Sequence, residues 1–232
     1  MTWQVAALVL MAVALGLWLF VIGEGSYLGP KIVTALYDRG AAVYDRVKEV
    51  LPQDDALHLA RPLLSALDGV APPMVLDIAT GTARLPLALL RQWDFQGRVV
   101  AIDISPQMLS LARRKTLAHQ ARVGMLRGDA MALAVRDRAF DAVTCLETLE
   151  LLPNANRALG EIVRALRPGG QLLLSNRVGP HAPFLPGRAL RPRALEAKLC
   201  AHGLVNVRTR RWQTHYDLVS ATKPCGDESS PA

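Results

Sequence analysis

The residues best suited to chemistry fall in three short stretches. Residues 75–87, VLDIATGTARLPL, carry a carboxylate, Asp77, ahead of a run of small residues: Ala79, Thr80, Gly81, Thr82 and Ala83. A small-residue loop between a strand and a helix lets a ligand approach the backbone and offers amide N–H groups at the helix start. The same loop is also a common turn of any doubly wound sheet. Asp103 lies 22 residues beyond Gly81, at the end of RVVAID. There a carboxylate stands beside the loop and can accept hydrogen bonds from both hydroxyls of a ribose, or else cap the helix that begins near Ser105. Gly128-Asp129-Ala130 supplies a third, acidic turn. It can read an adenine amino edge, or simply reverse the chain.

These residues need elements to hold them. Apolar runs predict strands at 74–79, 98–104, 122–127, 140–146 and 171–176. Helical spacing predicts helices at 84–93, 105–120, 155–166 and 193–202. Pro86 falls in the first turn of one, and Ser105-Pro106 reads as the N-cap and first position of the next. Such alternation predicts a parallel sheet covered on both faces. The end breaks the rhythm. Residues 205–211 and 215–222 alternate apolar and polar with only 212–214 between them, too few for a crossover, so they pair antiparallel. The fold class is therefore α/β, a doubly wound, seven-stranded, mostly parallel sheet with a C-terminal antiparallel hairpin. Ahead of the sheet, 32–50 and 56–67 read as helices. Tyr37-Asp38 and Tyr44-Asp45 sit seven residues apart on the first.

Residues 5–22 form an unbroken apolar run with Trp3 and Trp18 towards its two ends. As a helix rising about 1.5 Å per residue, 3–22 spans roughly 30 Å, a bilayer hydrocarbon core. The run has no basic leader and no small-residue cleavage pattern, which favours a retained single-pass anchor over a signal peptide. Lys31, Arg39, Arg46 and Lys48 follow it and place the body in the cytoplasm. The expected organisation is an anchor at 1–22, a linker with N-terminal helices at 23–69, the sheet domain at 70–223 and a tail at 224–232.

Over 232 residues the chain is 51% hydrophobic, which excludes a disordered or collagenous protein. Cys145, Cys200 and Cys225 are odd in number and lack ligand spacing, so no disulfide framework and no metal site is expected. Cys145 and Cys200 read as small buried filler. The net charge of +7 lies wholly after residue 23. It suits anionic partners such as phospholipid headgroups or RNA, and Arg188, Arg191, Arg193 and 208–211 are candidates for the contact. Aromatics at 5% argue against nucleic acid read by base stacking.

The ordered series VLDIATGTA, AIDIS, GDA, FDAVTCLETLELL and LRPGGQLLLSN resembles the class I S-adenosylmethionine-dependent methyltransferases, above all the small-molecule group that contains quinone-ring C-methyltransferases. The likeness spans about 37–222. It implies S-adenosylmethionine as cofactor and a role for each position. Asp77 would help hold the methionine amino group, with Ala79, Thr80, Gly81 and Thr82 wrapping the methionine through their backbone. Asp103 would hold the ribose and Ile104 pack on the adenine. Asp129, Ala130 and Met131 would meet the adenine edge. Leu146 and Glu147 would lie near the sulfonium. The helix bearing Tyr37 and Tyr44 would close as a lid. The family loop usually reads G-x-G-x-G, whereas this one has alanine at its first and third positions. Ala83 is the less usual of the two and would be strained if that position needs a positive φ.

Methyl transfer from a sulfonium asks the protein chiefly to position the acceptor and exclude water. Where a base is needed, His181 and Glu147 are the candidates, and Glu150 reads as surface. CLETLE replaces the N-P-P-aromatic signature of enzymes that methylate planar amino groups. The resemblance and the anchor together point to a small, apolar or lipid-like acceptor. The alternatives are an RNA or protein methyltransferase, or a non-catalytic membrane scaffold.

Overall fold

The computed structural model describes residues 2–48 and 51–225. The end of the first expected lid helix at 49–50, and the expected tail from 226 onward, lie outside them. In chain order the helices are α1 (Thr2–Leu17), α2 (Pro30–Gly40), α3 (Tyr44–Val47), α4 (Pro52–Asp55), α5 (Arg61–Ala66), α6 (Arg84–Leu90), α7 (Pro106–Lys115), α8 (Ala155–Ala165) and α9 (Pro192–Ala201). The strands are β1 (Met74–Ile78), β2 (Arg98–Asp103), β3 (Val123–Arg127), β4 (Phe140–Cys145), β5 (Leu166–Arg177), β6 (Val205–Arg211) and β7 (Tyr216–Thr222).

The strands form one seven-stranded sheet in the order β3-β2-β1-β4-β5-β7-β6. β1 pairs in parallel with β2 and with β4, so Leu76 lies between Val100 and Val143. β7 is antiparallel to β5 and to β6, as the short 212–214 connection requires. The central strands are apolar on both faces because helices cover both. Leu76, Ile78, Leu159, Ile162 and Leu195 fill one side. Leu63, Val75, Leu85, Leu89 and Phe95 fill the other. Chain direction across the sheet reverses between β1 and β4, and a crevice opens outside their carboxyl ends.

Five expected elements differ in detail, the simplest being α6, expected to reach 93 but ending at Leu90. The helix expected at 32–50 is broken after Gly40, where a single tight turn (Ala41–Val43) separates α2 from α3. Glycine is a poor helix residue, and the break puts the two Tyr-Asp pairs on separate segments. The helix expected at 56–67 starts at Pro52 and widens over Ala56–Ala60. Pro62 has no N–H to give His58 four residues back, and the Arg210 guanidinium donates to that carbonyl instead. α7 keeps its Ser105 cap, whose hydroxyl accepts from the Met108 amide at 3.1 Å, but it stops at Lys115. β5 begins at Leu166, five residues early, because Pro168-Gly169-Gly170 is absorbed as an irregularity in its pairing with β4.

The N-terminal apolar span, Trp3–Ile22, has a mean hydropathy of 2.8, and none of it is buried against the domain. It is a helix long and apolar enough to be a membrane anchor. Its foot is tied to the loop after β5: Trp18 Nε1 donates to Phe184 O at 2.8 Å, and Tyr27 OH donates to Pro186 O at 2.9 Å. Gly25, at φ 72°, turns the chain so tightly that a Cβ there would meet Leu36 Cδ1 at 2.9 Å. Arg188, expected on a headgroup surface, instead donates to Ser26 O at 2.7 Å and to Leu152 O. Cys145 is buried as expected, but Cys200 is exposed on α9.

Candidate active site

The crevice at the carboxyl ends of β1, β2 and β4 holds a cavity with about 810 Å³ of open space. Ala79, Gly81, Asp103, Ile104, Asp129, Ala130, Met131, Leu146 and Glu147 all line it, under a roof that includes Tyr37 and Tyr44. A smaller cavity shares Ala79, Gly81, Leu146, Glu147 and Tyr44 with it and adds Asp77, Thr80, Thr82 and Arg84. The sequence-derived positions thus converge on one place, with the exception of His181. That side chain is exposed in the loop after β5, stacked on His215 at 5.0 Å between ring centroids, and does not line the cavity.

The glycine-poor loop is a left-handed stair. Ala79, Gly81 and Ala83 have φ of 54°, 55° and 68°. Every second residue needs the conformation that glycine adopts freely, which is why G-x-G-x-G suits the family and why alanine costs roughly 1–2 kcal/mol at each of two positions here. The expectation that this loop leaves its amides free is corrected for three of them. Thr80 N–H donates to Ile102 O at 2.9 Å, Gly81 N–H to Asp103 Oδ2 at 2.8 Å and Ala83 N–H to Thr80 O at 3.0 Å. The strained turn is held by these bonds before any ligand arrives.

Asp103 is the keystone of that arrangement. Its second oxygen, Oδ1, accepts from the Ser105 amide at 2.8 Å. It therefore braces the loop and the start of α7 while still facing the cavity. Burial raises its pKa against the pull of backbone amides. Each carboxylate oxygen accepts one bond and retains a second lone pair, which leaves two sites for a vicinal diol. Ile104, 38% exposed on the cavity wall, offers a flat apolar contact. Asp129 Oδ1 takes the Met131 amide at 2.8 Å and so fixes the turn beneath it.

Asp77 accepts from Thr80 Oγ1 and Thr144 Oγ1, both at 2.6 Å. Burial pushes its carboxyl up to about 6 against those two hydrogen bonds. A pKa above the unfolded value favours the protonated native form. Its stabilising effect is complete below about pH 4 and is lost as pH rises through 6, a change of ~3 kcal/mol. A cationic amino group beside Asp77 has the opposite preference and needs the carboxylate. Calorimetric titration with S-adenosylmethionine should therefore show affinity rising about tenfold from pH 5 to pH 7, as the ionised fraction grows, with Asp77→Asn removing the dependence. A flat wild-type profile would remove the amino-group role.

Several residues that hold the site escaped the sequence reading. Asp38 accepts from Ser105 Oγ, and Asp45 accepts from Thr82 Oγ1 at 2.5 Å and pairs with Lys115 at 2.5 Å. The acidic partners of the two tyrosines are the latches that fasten α2 and α3 over the crevice. Glu147, at φ 52°, has both oxygens engaged: Arg84 at 2.8 Å and Lys48 of the lid at 2.9 Å. Glu150, expected on the surface, is 4% exposed and accepts from Tyr216 OH. Tyr216 in turn accepts from Arg177 at 2.7 Å, and Arg177 reaches Glu24 at 3.5 Å. Glu24 accepts from Tyr37 OH at 2.7 Å. A buried polar chain thus links the foot of the apolar span to the lid.

A doubly wound sheet ending in an antiparallel hairpin, with a loop–carboxylate–acidic-turn crevice, defines a nucleoside-cofactor domain of the methyltransferase class. A family profile described as a methyltransferase domain matches residues 75–170. A demethylmenaquinone methyltransferase of Lactiplantibacillus plantarum is 33% identical over 66% of this chain and 65% of its own length, so the chain spans just under two thirds of that relative. A 2-phytyl-1,4-naphthoquinone methyltransferase of Synechococcus elongatus is 30% identical over 69% of this chain and 70% of its own. The crystal structure of an S-adenosylmethionine-dependent methyltransferase from Aquifex aeolicus superposes with a TM-score of 0.61 at 21% identity, covering 76% of this chain and 95% of that one, and shares the fold. The chain belongs to the S-adenosylmethionine-dependent methyltransferase family, in its quinone methyltransferase group. The cofactor of that family fits the chemistry of the crevice: two carboxylates with spare lone pairs and an apolar wall at Ile104.

Proposed function

We propose that this protein transfers a methyl group from S-adenosylmethionine to a small, apolar, membrane-dissolved ring of the quinone type. The observation that carries the reading is the convergence of Gly81, Asp103 and Asp129 on one crevice, roofed by tyrosines that follow directly on an apolar span. In this reading 1–22 anchors the chain, 23–69 forms linker and lid, 70–223 binds cofactor and acceptor, and 224–232 is a tail. The catalytic domain lies on the cytoplasmic side, on the argument of Lys31, Arg39, Arg46 and Lys48.

The bound cofactor supplies an electrophilic methyl carbon beside Leu146 and Glu147. An electron-poor quinone ring is a weak nucleophile, whereas its reduced dihydroxy form is an electron-rich one. The acceptor is therefore the quinol. Asp103 holds the ribose, Asp129 the adenine edge and Asp77 the amino group. Glu147 receives the acceptor's hydroxyl proton as the ring carbon takes the methyl group and the methyl–sulfur bond breaks. The proton on that carbon then leaves to water, and Glu147 returns its own to the oxygen that Lys48 faces. Tyr37, Tyr44 and the Asp38 and Asp45 latches keep water out while the methyl moves.

The test is methyl-labelled cofactor with the full-length protein in vesicles containing a reduced, ring-unmethylated naphthoquinol. Label in the quinone fraction, dependent on prior reduction, is the expected result. Label confined to added RNA or protein would overturn the acceptor assignment.

A further inference from the structure

A second, apolar groove lies on the far side of the lid from the cofactor crevice. Phe20 of the N-terminal span, Leu36, Val43 and Val47 line it, and it has about 600 Å³ of open space. Tyr37 and Tyr44 form its inner wall and line the cofactor cavity as well. At that inner end sits Lys48, whose ammonium is 2.9 Å from Glu147 Oε2 and 5.8 Å from the centre of the Tyr216 ring. The outer walls are open: Phe20 is 49% exposed, Val43 46% and Val47 72%. A water-facing groove of this composition is costly. Its continuity with the span puts its mouth at the bilayer, where the same residues face hydrocarbon.

We propose that this groove is the entrance from the membrane for an acceptor that carries an apolar chain, the chain lying along Phe20, Val43 and Val47 while the ring reaches the cofactor once Tyr37 and Tyr44, whose ring centroids stand 6.0 Å apart, separate. An acceptor without a chain enters from water. The inference rests on the methyltransferase reading above and adds the route and the chain subsite. Two features commit the groove to this occupant. It begins on a residue of the apolar span, and it ends on two side chains that also wall the crevice. Lys48 and Glu24 place charge at the ring end only, so a chain is accommodated outward and a polar oxygen inward. An acceptor bound this way need not leave the bilayer completely, which spares it the exposure of its chain to water.

Gly40 supplies a clean test. It lines the groove, has an ordinary helical φ of −80°, and a Cβ there would meet no atom within 4 Å. Gly40→Phe therefore fills the groove without backbone strain. The full-length protein in phosphatidylcholine–phosphatidylglycerol vesicles is assayed with two naphthoquinols of one ring, one bearing a long prenyl chain and one bearing none. The expected result is a KM at least tenfold higher for the long-chain acceptor, with the ring-only kcat/KM and the S-adenosylmethionine Kd within twofold of wild type. Equal loss on both acceptors, or no change on either, overturns the entrance. A second readout is independent of turnover. A long-chain quinone with a diazirine at mid-chain should crosslink to residue 20 or to residues 36–48 in wild type and lose that crosslink in Gly40→Phe. Crosslinks elsewhere overturn the groove. Crosslinks in the groove with no methyl transfer to either acceptor would instead overturn the enzymatic reading.

Discussion

Glu147→Gln should lower kcat by about 10²–10³-fold, the range set by a positioned acid–base group, while the S-adenosylmethionine Kd stays within about threefold. The expectation follows from where the carboxylate stands. It lies two residues past the end of β4, at a positive φ, with its amide donating to Ser175 Oγ at 2.6 Å. It lines both cavities, at their shared wall. The amide of glutamine keeps the shape and can still accept from Arg84 or Lys48, but it cannot take a proton, and it leaves half-buried Lys48 without its carboxylate and Arg84 with Asp55 alone. Glu147→Asp should recover part of the rate, since the charge returns on a shorter arm. Single-turnover methyl transfer measured beside calorimetric cofactor binding separates the two effects. An unchanged single-turnover rate in Glu147→Gln would assign the residue to holding the lid and nothing more.

Asp103→Ala should weaken S-adenosylmethionine binding by 10²–10³-fold and lower the melting temperature as well. Removal of the carboxylate strands the Gly81 and Ser105 amides, at about 1–3 kcal/mol for each buried donor left unpaired. It also removes both acceptors for the ribose. The loop then loses the contact that holds Gly81 at its left-handed φ. Asp103→Asn retains one acceptor and should fall between wild type and alanine in both measurements. Calorimetry and thermal melting on the two variants check this. A large loss of stability with a Kd within threefold of wild type would make Asp103 a helix-and-loop brace that no ligand uses.

The sheet was legible in the sequence because its strands are buried on both faces and read as apolar runs, 99–102 and 172–174 above all. The hairpin was legible because three residues cannot bridge parallel strands. The crevice followed from both, since Asp103 ends β2 while Gly81 and Asp129 stand just past the ends of β1 and β3. The lid was harder. Apolar spacing continues across Gly40, so the break there leaves no mark on periodicity. The latches were invisible: Asp38 meets Ser105 and Asp45 meets Thr82 across 67 and 37 residues of chain, and a Tyr-Asp pair on a helix carries no local sign of such partners. Glu150 looked like surface because its burial is made by Tyr216 and Arg177, which arrive from β7 and β5. His181 looked like a base because it is a titratable group in a loop of the right order, and order alone says nothing of which way a loop folds. The loop amides were misjudged for a related reason. Strand-edge partners, Ile102 O and Asp103 Oδ2, satisfy them before any ligand does.

The account stands on one crevice shaped for an adenosyl cofactor. Titrating S-adenosylmethionine, and separately NAD, into the detergent-solubilised full-length protein by isothermal calorimetry tests it most directly. The predicted result is one-to-one binding of S-adenosylmethionine in the micromolar range, with no heat from NAD and at least a hundredfold weaker binding in Asp103→Ala. Saturating NAD binding, or no S-adenosylmethionine binding at millimolar concentration, would contradict it.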